Sequence, residues 1–93
     1  MIAWSDEAKE TTRDIYAKLL EESSVYAENW LTELEHKLEL LEQFPEMGRQ
    51  VPEFGLSFIR EVFVKKYRLV YSYLNQNITI VAIRPMGRPL GRI

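Results

Sequence analysis

Ninety-three residues with no cysteine, 46% apolar and 28% charged residues and a net charge of −2 describe one small folded domain over residues 1–93 with a thin core, and they exclude a disulfide framework, thiolate chemistry and a cysteine metal site. No apolar run approaches the roughly 18–20 residues of a membrane span, and the start MIAWSDEAKE has neither the basic opening nor the long apolar middle of a signal peptide, so a cytoplasmic protein without a membrane partner is expected. The charge is divided: residues 1–44 carry eleven acids and four bases, a net −7, whereas residues 45–93 carry three acids and eight bases, a net +5, which points either to an anionic partner for the second half or to acidic helices that solvate one side of the domain.

Met1–Trp4 is a short apolar start, too short to stand alone and so expected to join a sheet. Ser5 is a good helix N-cap, and Asp6 and Glu7 suit the positive end of a helix dipole. Ala8, Thr12, Ile15 and Leu19 then recur at helical spacing, predicting a helix over 6–22. Ser23 and Ser24 interrupt it and offer a new cap. Ala27, Leu31, Leu34, Leu38 and Leu41 predict a second helix over 24–44, ended by Pro45. The pair reads as a helical hairpin, since the heptad pattern is too short for a coiled coil. His36, the single histidine, lies among Glu35, Lys37 and Glu39 and reads as a solvated surface residue, so no metal site is expected.

Two prolines and two glycines mark residues 45–55 as a loop. Three strands follow, at 57–64, 67–74 and 77–84, with turns at Lys65-Lys66 and Asn75-Gln76-Asn77. The order β-α-α-β-β-β predicts an α+β domain: a helical hairpin packed on one face of a mainly antiparallel four-stranded sheet. Side chains alternate along a strand. Tyr67, Leu69, Tyr71 and Tyr73, joined by Ile78, Ile80 and Ala82, make the face expected to receive the helices. The other face carries Arg68, Val70, Ser72 and Leu74 with Glu61, Phe63, Thr79, Val81 and Ile83. A two-residue turn pairs Val64 with Tyr67, Phe63 with Arg68 and Glu61 with Val70. The mixed face suits partner binding, or else Arg68 only pairs with Glu61 across the sheet. A bulge would move every later residue to the opposite face.

The segments WSDEAKETTRDIY, FPEMGRQVPE, IREVFVKKYRLVY and ITIVAIRPMGR resemble the bacterial RelE/ParE toxin superfamily of type II toxin–antitoxin systems. The Pro-x-x-Gly-Arg loop and Ile59-Arg60-Glu61 look more like its ParE branch. The resemblance implies a cognate antitoxin that wraps the toxin in a hetero-oligomer, no cofactor and no metal. It also implies one of two targets, DNA gyrase or the ribosome and its mRNA. Ribosome-dependent, metal-free endoribonuclease chemistry needs a base for the ribose 2′-hydroxyl, an acid for the leaving oxygen and cations for the phosphorane. Arg68 and Arg88 resemble the cations, and Glu53 or Glu61 could act as base. RNase members commonly carry a Tyr or His near the C-terminus, whereas this chain ends Arg88-Pro89-Leu90-Gly91-Arg92-Ile93. The favoured expectation is therefore a gyrase poison. An antitoxin segment would cover Arg68, Val70 and Val81, and Arg49, Arg60, Arg84 and Arg88 would serve as contacts to gyrase.

Overall fold

At Ser5 the chain leaves a strand and enters a helix. In the computed structural model, which describes residues 1–88, 90 and 91, β1 (Ile2–Trp4) ends there and α1 (Asp6–Glu22) begins. The Ser5 hydroxyl accepts the Ala8 N–H at 3.0 Å, satisfying a donor that the helix cannot. Ser23, in extended conformation (φ −167°, ψ 122°), serves both helices. Its N–H donates to the Leu19 carbonyl at 2.9 Å, and its hydroxyl accepts the Tyr26 N–H at 3.2 Å to open α2 (Ser24–Gln43). This one residue makes the expected helical hairpin. The second helix ends at Gln43, one residue before the expected boundary, because Pro45 disfavours helical dihedrals at Phe44 (φ −131°, ψ 75°).

The sheet has five strands, not the expected four, in the order β1-β5-β4-β3-β2. The remaining strands are β2 (Arg49–Gln50), β3 (Ile59–Val64), β4 (Tyr67–Leu74) and β5 (Asn77–Pro85). The extra strand, β2, lies inside the proline- and glycine-rich stretch read as loop. It pairs Arg49 with Glu61 and Gln50 with Arg60, and two residues are too few to show alternation. β1 runs parallel to β5, with Ile2 opposite Ile78 and Trp4 opposite Ile80, and all other pairings are antiparallel. The two turns use positive φ at Lys65 (54°), Asn75 (52°) and Gln76 (65°). In the second, two successive left-handed residues match the twist of the flanking strands.

The β3–β4 register is the expected one, with Val64 opposite Tyr67, Phe63 opposite Arg68 and Glu61 opposite Val70. Between β4 and β5 a bulge intervenes: Tyr71 faces Ile80 but Val70 faces Ala82, leaving Val81 unpaired. The expectation for the residues after it is thereby corrected. Ala82 goes to the face away from the helices, and Ile83 joins Leu69 in the main core. That core lies between helices and sheet and contains Trp30, Leu34, Leu41, Leu69, Tyr71, Ile78 and Ile80, with Leu31 and Leu38 half-buried at its margin. On the opposite face a smaller cluster of Val51, Val70, Ala82 and Leu90 forms where the 51–55 loop and the C-terminal tail cross the sheet.

Candidate functional site

Between β2 and the tail a cleft of about 200 Å³ opens, lined by Arg49, Glu53, Phe63, Arg68, Met86 and Gly87. Arg68 stands at its base because it occupies the second position of β4, on the face away from the helices. Its Nε donates to Glu61 Oε1 at 2.6 Å, and its two terminal nitrogens donate to Glu53 at 2.7 and 3.0 Å. Nη1 also reaches the Arg88 carbonyl at 3.4 Å. All three guanidinium nitrogens are thus engaged, and the residue is only 7% exposed. Glu61, 1% exposed, is held on its other side by Arg49 Nε at 2.8 Å. Arg49 then lies over the Phe63 ring, 5.4 Å from its centroid, a cation–π contact at the cleft wall.

The electrostatics follow from these contacts. Two arginines and two glutamates make a neutral network. The Arg68 hydrogen bonds hold the Glu53 carboxyl at about 2, below its ordinary value of 4.5, helped by backbone donors that include Leu90. The same carboxylates, Glu53 first and Glu61 second, push the Arg68 guanidinium still further above its usual range. A carboxylate so strongly acidic is a weak base, and a guanidinium so stabilised is a worse proton donor than usual. Among the described residues, those that line the cleft include no histidine and no tyrosine. Among the described residues, no group of histidine, cysteine and carboxylate side chains could hold a metal ion.

The Pro45–Gly48 loop is anchored from below. The Tyr71 hydroxyl donates to the Pro45 carbonyl at 2.7 Å and accepts the Gly48 N–H at 3.0 Å. Arg60 Nη1 donates to the carbonyls of Gly48 at 2.7 Å and Glu46 at 3.2 Å. A Cβ at residue 48 would sit 2.6 Å from the Tyr71 hydroxyl and 2.7 Å from the Glu61 carbonyl, so only glycine fits. The Gly-Arg pair thus places Arg49 against Glu61, which stands opposite Val70, the residue next to that tyrosine.

The residues expected to bind partners therefore have unequal access. Arg49 keeps a side chain 58% exposed. Arg60 is largely committed to the loop carbonyls. Arg68 lies within its two carboxylates; the pairing with Glu61 was the alternative to an open binding face, and that with Glu53 was not expected. Val70 is fully buried beneath Val51 and Leu90, so that face is not the open mixed surface expected. Val81 is half-buried at the bulge. Arg84 starts opposite Arg68 in register, yet its guanidinium turns to Glu7 of α1 at 3.1 Å. Arg88 is exposed, and Arg92 lies outside the described residues. The partnership of Glu53 with Arg68 escaped sequence reasoning because residue 53 sits in a loop without periodicity; the only available signal was that residues 45–93 hold just three acids among eight bases.

No helix among the described residues is long and apolar enough to cross a membrane. No curated protein matches the sequence significantly. Among solved structures, the fold is similar to one from the chromosomal ParDE toxin–antitoxin system of P. aeruginosa, with a TM-score of 0.71 at 15% identity over 90% of this chain and 92% of that one. It is also similar to the isolated E. coli RelE toxin, with a TM-score of 0.68 at 16% identity over 97% of this chain and 87% of that one. At such identities the likeness is one of fold. The model of a family described as the ParE toxin of type II toxin–antitoxin systems, parDE, matches residues 2–90, from the first residue of β1 to the buried Leu90 of the tail, and the chain belongs to that family.

Proposed function

We propose that this toxin acts by binding DNA gyrase and not by cutting RNA, and that a cognate antitoxin neutralises it in a cytoplasmic hetero-oligomer. One observation carries the reading: Arg68, the strand cation available to stabilise a phosphorane, is bound on all its nitrogens to Glu61, Glu53 and a backbone carbonyl. Fold alone does not choose between the two activities, so the chemistry of the cleft must. Phosphodiester cleavage by the ribose 2′-hydroxyl draws roughly 10²–10⁴ in rate from each acid or base. Glu53 is a poor base at about 2, and a neutral cluster offers little field to a developing dianion. A binding mechanism needs none of these groups to be free. Arg49 and Arg88, which reach solvent, are the contacts we assign to gyrase, with Arg60 and Arg84 in supporting positions. An antitoxin segment engages the same basic margin and the exposed rim of the back face near Val81, since Val70 and Arg68 lie beneath.

Two assays on purified protein test this. Gyrase-dependent DNA breakage should appear, and mRNA held in the ribosomal A site should stay intact. Codon-positioned cuts in that mRNA, with gyrase unaffected, overturn the reading.

A further inference from the structure

A second groove lies on the helix side of the sheet, where the α1–α2 junction meets the β3–β4 turn and the chain leaving β5, and it shares Met86 with the Arg68 cleft. It has a volume of about 510 Å³, within the range of small-molecule sites. Lys18 and Glu22 of α1, Tyr26 of α2, Lys66 of the β3–β4 turn, Tyr67 at the start of β4, and Arg88 line it, with Leu19, Pro85 and Met86 as apolar walls. Its electrostatics differ from those of the neutral Arg68 network. Among the described residues, no carboxylate lies within salt-bridge distance of Lys18, Lys66 or Arg88, whereas Arg49, Arg60, Arg68 and Arg84 are all paired. Three cations against the single acid Glu22 leave an excess of two positive charges. The groove also continues: a neighbouring hollow of about 250 Å³ along α1 shares Lys18, Tyr67 and Pro85 as walls and adds Thr11, Asp14, Ile15 and Ile83, a less basic and more apolar stretch suited to a base or sugar between phosphates.

We propose that this groove binds the phosphates of single-stranded nucleic acid, with a base laid against the Tyr26 and Tyr67 walls. Unpaired cations beside aromatic walls are the elements with which proteins hold single strands without reading sequence. The continuation along α1 favours a chain over a single nucleotide. The proposal does not rest on the gyrase reading: Arg88 serves in both, whereas Lys18 and Lys66 belong to this groove alone and test it separately.

The test is fluorescence anisotropy of a short labelled oligo(dT) on the isolated full chain. Three phosphate contacts on a single strand predict an affinity that falls about 18-fold between 50 and 200 mM salt. Lys18→Ala, Lys66→Ala or Arg88→Ala should each lower that dependence to about 7-fold and weaken binding, with thermal midpoints unchanged because these side chains are exposed. Lys37→Ala, on α2 outside the groove, should change neither. The amide resonances of Lys66 and Tyr67 should shift on titration. Equal losses for Lys37→Ala, or shifts spread over the molecule, would overturn the site. Competition by AMP as effective per phosphate as the strand would assign the groove to free nucleotides and overturn the strand reading. Equal competition by polyglutamate would overturn phosphate recognition.

Discussion

Removing the Arg68 guanidinium should be among the costliest single changes this domain can suffer. Arg68→Ala takes away the partner that contacts Glu61 at 2.6 Å and leaves that carboxylate, whose side chain is fully buried, with only the exposed Arg49. Breaking a buried ion pair by deleting one member costs about 3–5 kcal/mol, because the surviving charge stays desolvated. A domain of this length shifts its melting midpoint by about 4–8 °C per kcal/mol, so circular dichroism at neutral pH should show a fall of about 12–40 °C. The paired substitution Arg68→Met with Glu61→Leu removes both buried charges and fills the space with carbon. It should recover most of the loss, since apolar replacements of buried pairs are often neutral or stabilising. Arg49 and Glu53, left behind, are exposed enough to be solvated. If Arg68→Ala costs less than about 1 kcal/mol, the pair is behaving as a surface salt bridge and the account is wrong. A double variant no more stable than the single one refutes it equally.

Gly48→Ala should destabilise by about 1–3 kcal/mol in denaturant unfolding, through overpacking against the Tyr71 hydroxyl at 2.6 Å, and Tyr71→Phe should cost a similar amount by orphaning the buried Gly48 N–H. The Glu53 carboxyl ionises at about 2 in the fold against 4.5 ordinarily; its stabilisation is therefore whole above about pH 4.5 and is lost as pH falls from there toward 2. The melting difference between the wild type and Glu53→Gln should close across that interval, and a difference that stays constant down to pH 2 would contradict the assignment.

The helices were legible because each carries its own punctuation: a serine cap, a 3.6-residue apolar repeat and a proline stop. The β3–β4 register was legible because its two-residue turn, at Lys65-Lys66, leaves one way to align two alternating strands. β2 was not, since two residues in a glycine- and proline-rich stretch have no period, and their pairing depends on Tyr71 and Arg60 holding the loop from below. Arg68 and Glu61 could be placed side by side from register alone. Glu53 could not, because a carboxylate in a loop carries no alternation to fix where it lands. The same reason explains why the mixed back face looked open: Val51 and Leu90 cover Val70 from segments with no regular structure.

The bulge at Val81 is the sharpest case, because the residue that contacts it lies far away in the chain. Val81 drops out of the ladder between β4 and β5, and the Ser5 hydroxyl donates to its carbonyl at 3.1 Å while the Ser5 N–H donates to the Ile80 carbonyl at 2.9 Å. The same hydroxyl caps α1 by accepting the Ala8 N–H. Ser5 therefore has two separable roles, and substitutions can divide them. Loss of the cap in Ser5→Ala costs about 1 kcal/mol, and loss of the bond to the bulge adds about 1 kcal/mol, giving about 2 kcal/mol in all. Ser5→Asp keeps an N-cap as good as serine but has no proton to donate, and it sets a negative charge against the Val81 carbonyl. If Ser5 were only a cap, aspartate would be as stable as serine in thermal unfolding. If it also supports the bulge, aspartate should be destabilised by at least the bond it cannot make, about 1 kcal/mol, although isolated helices favour it. A wild-type midpoint for Ser5→Asp would show that the bulge needs no support from the first turn of α1, and that the placement of Ala82 and Ile83 is set by strand packing alone.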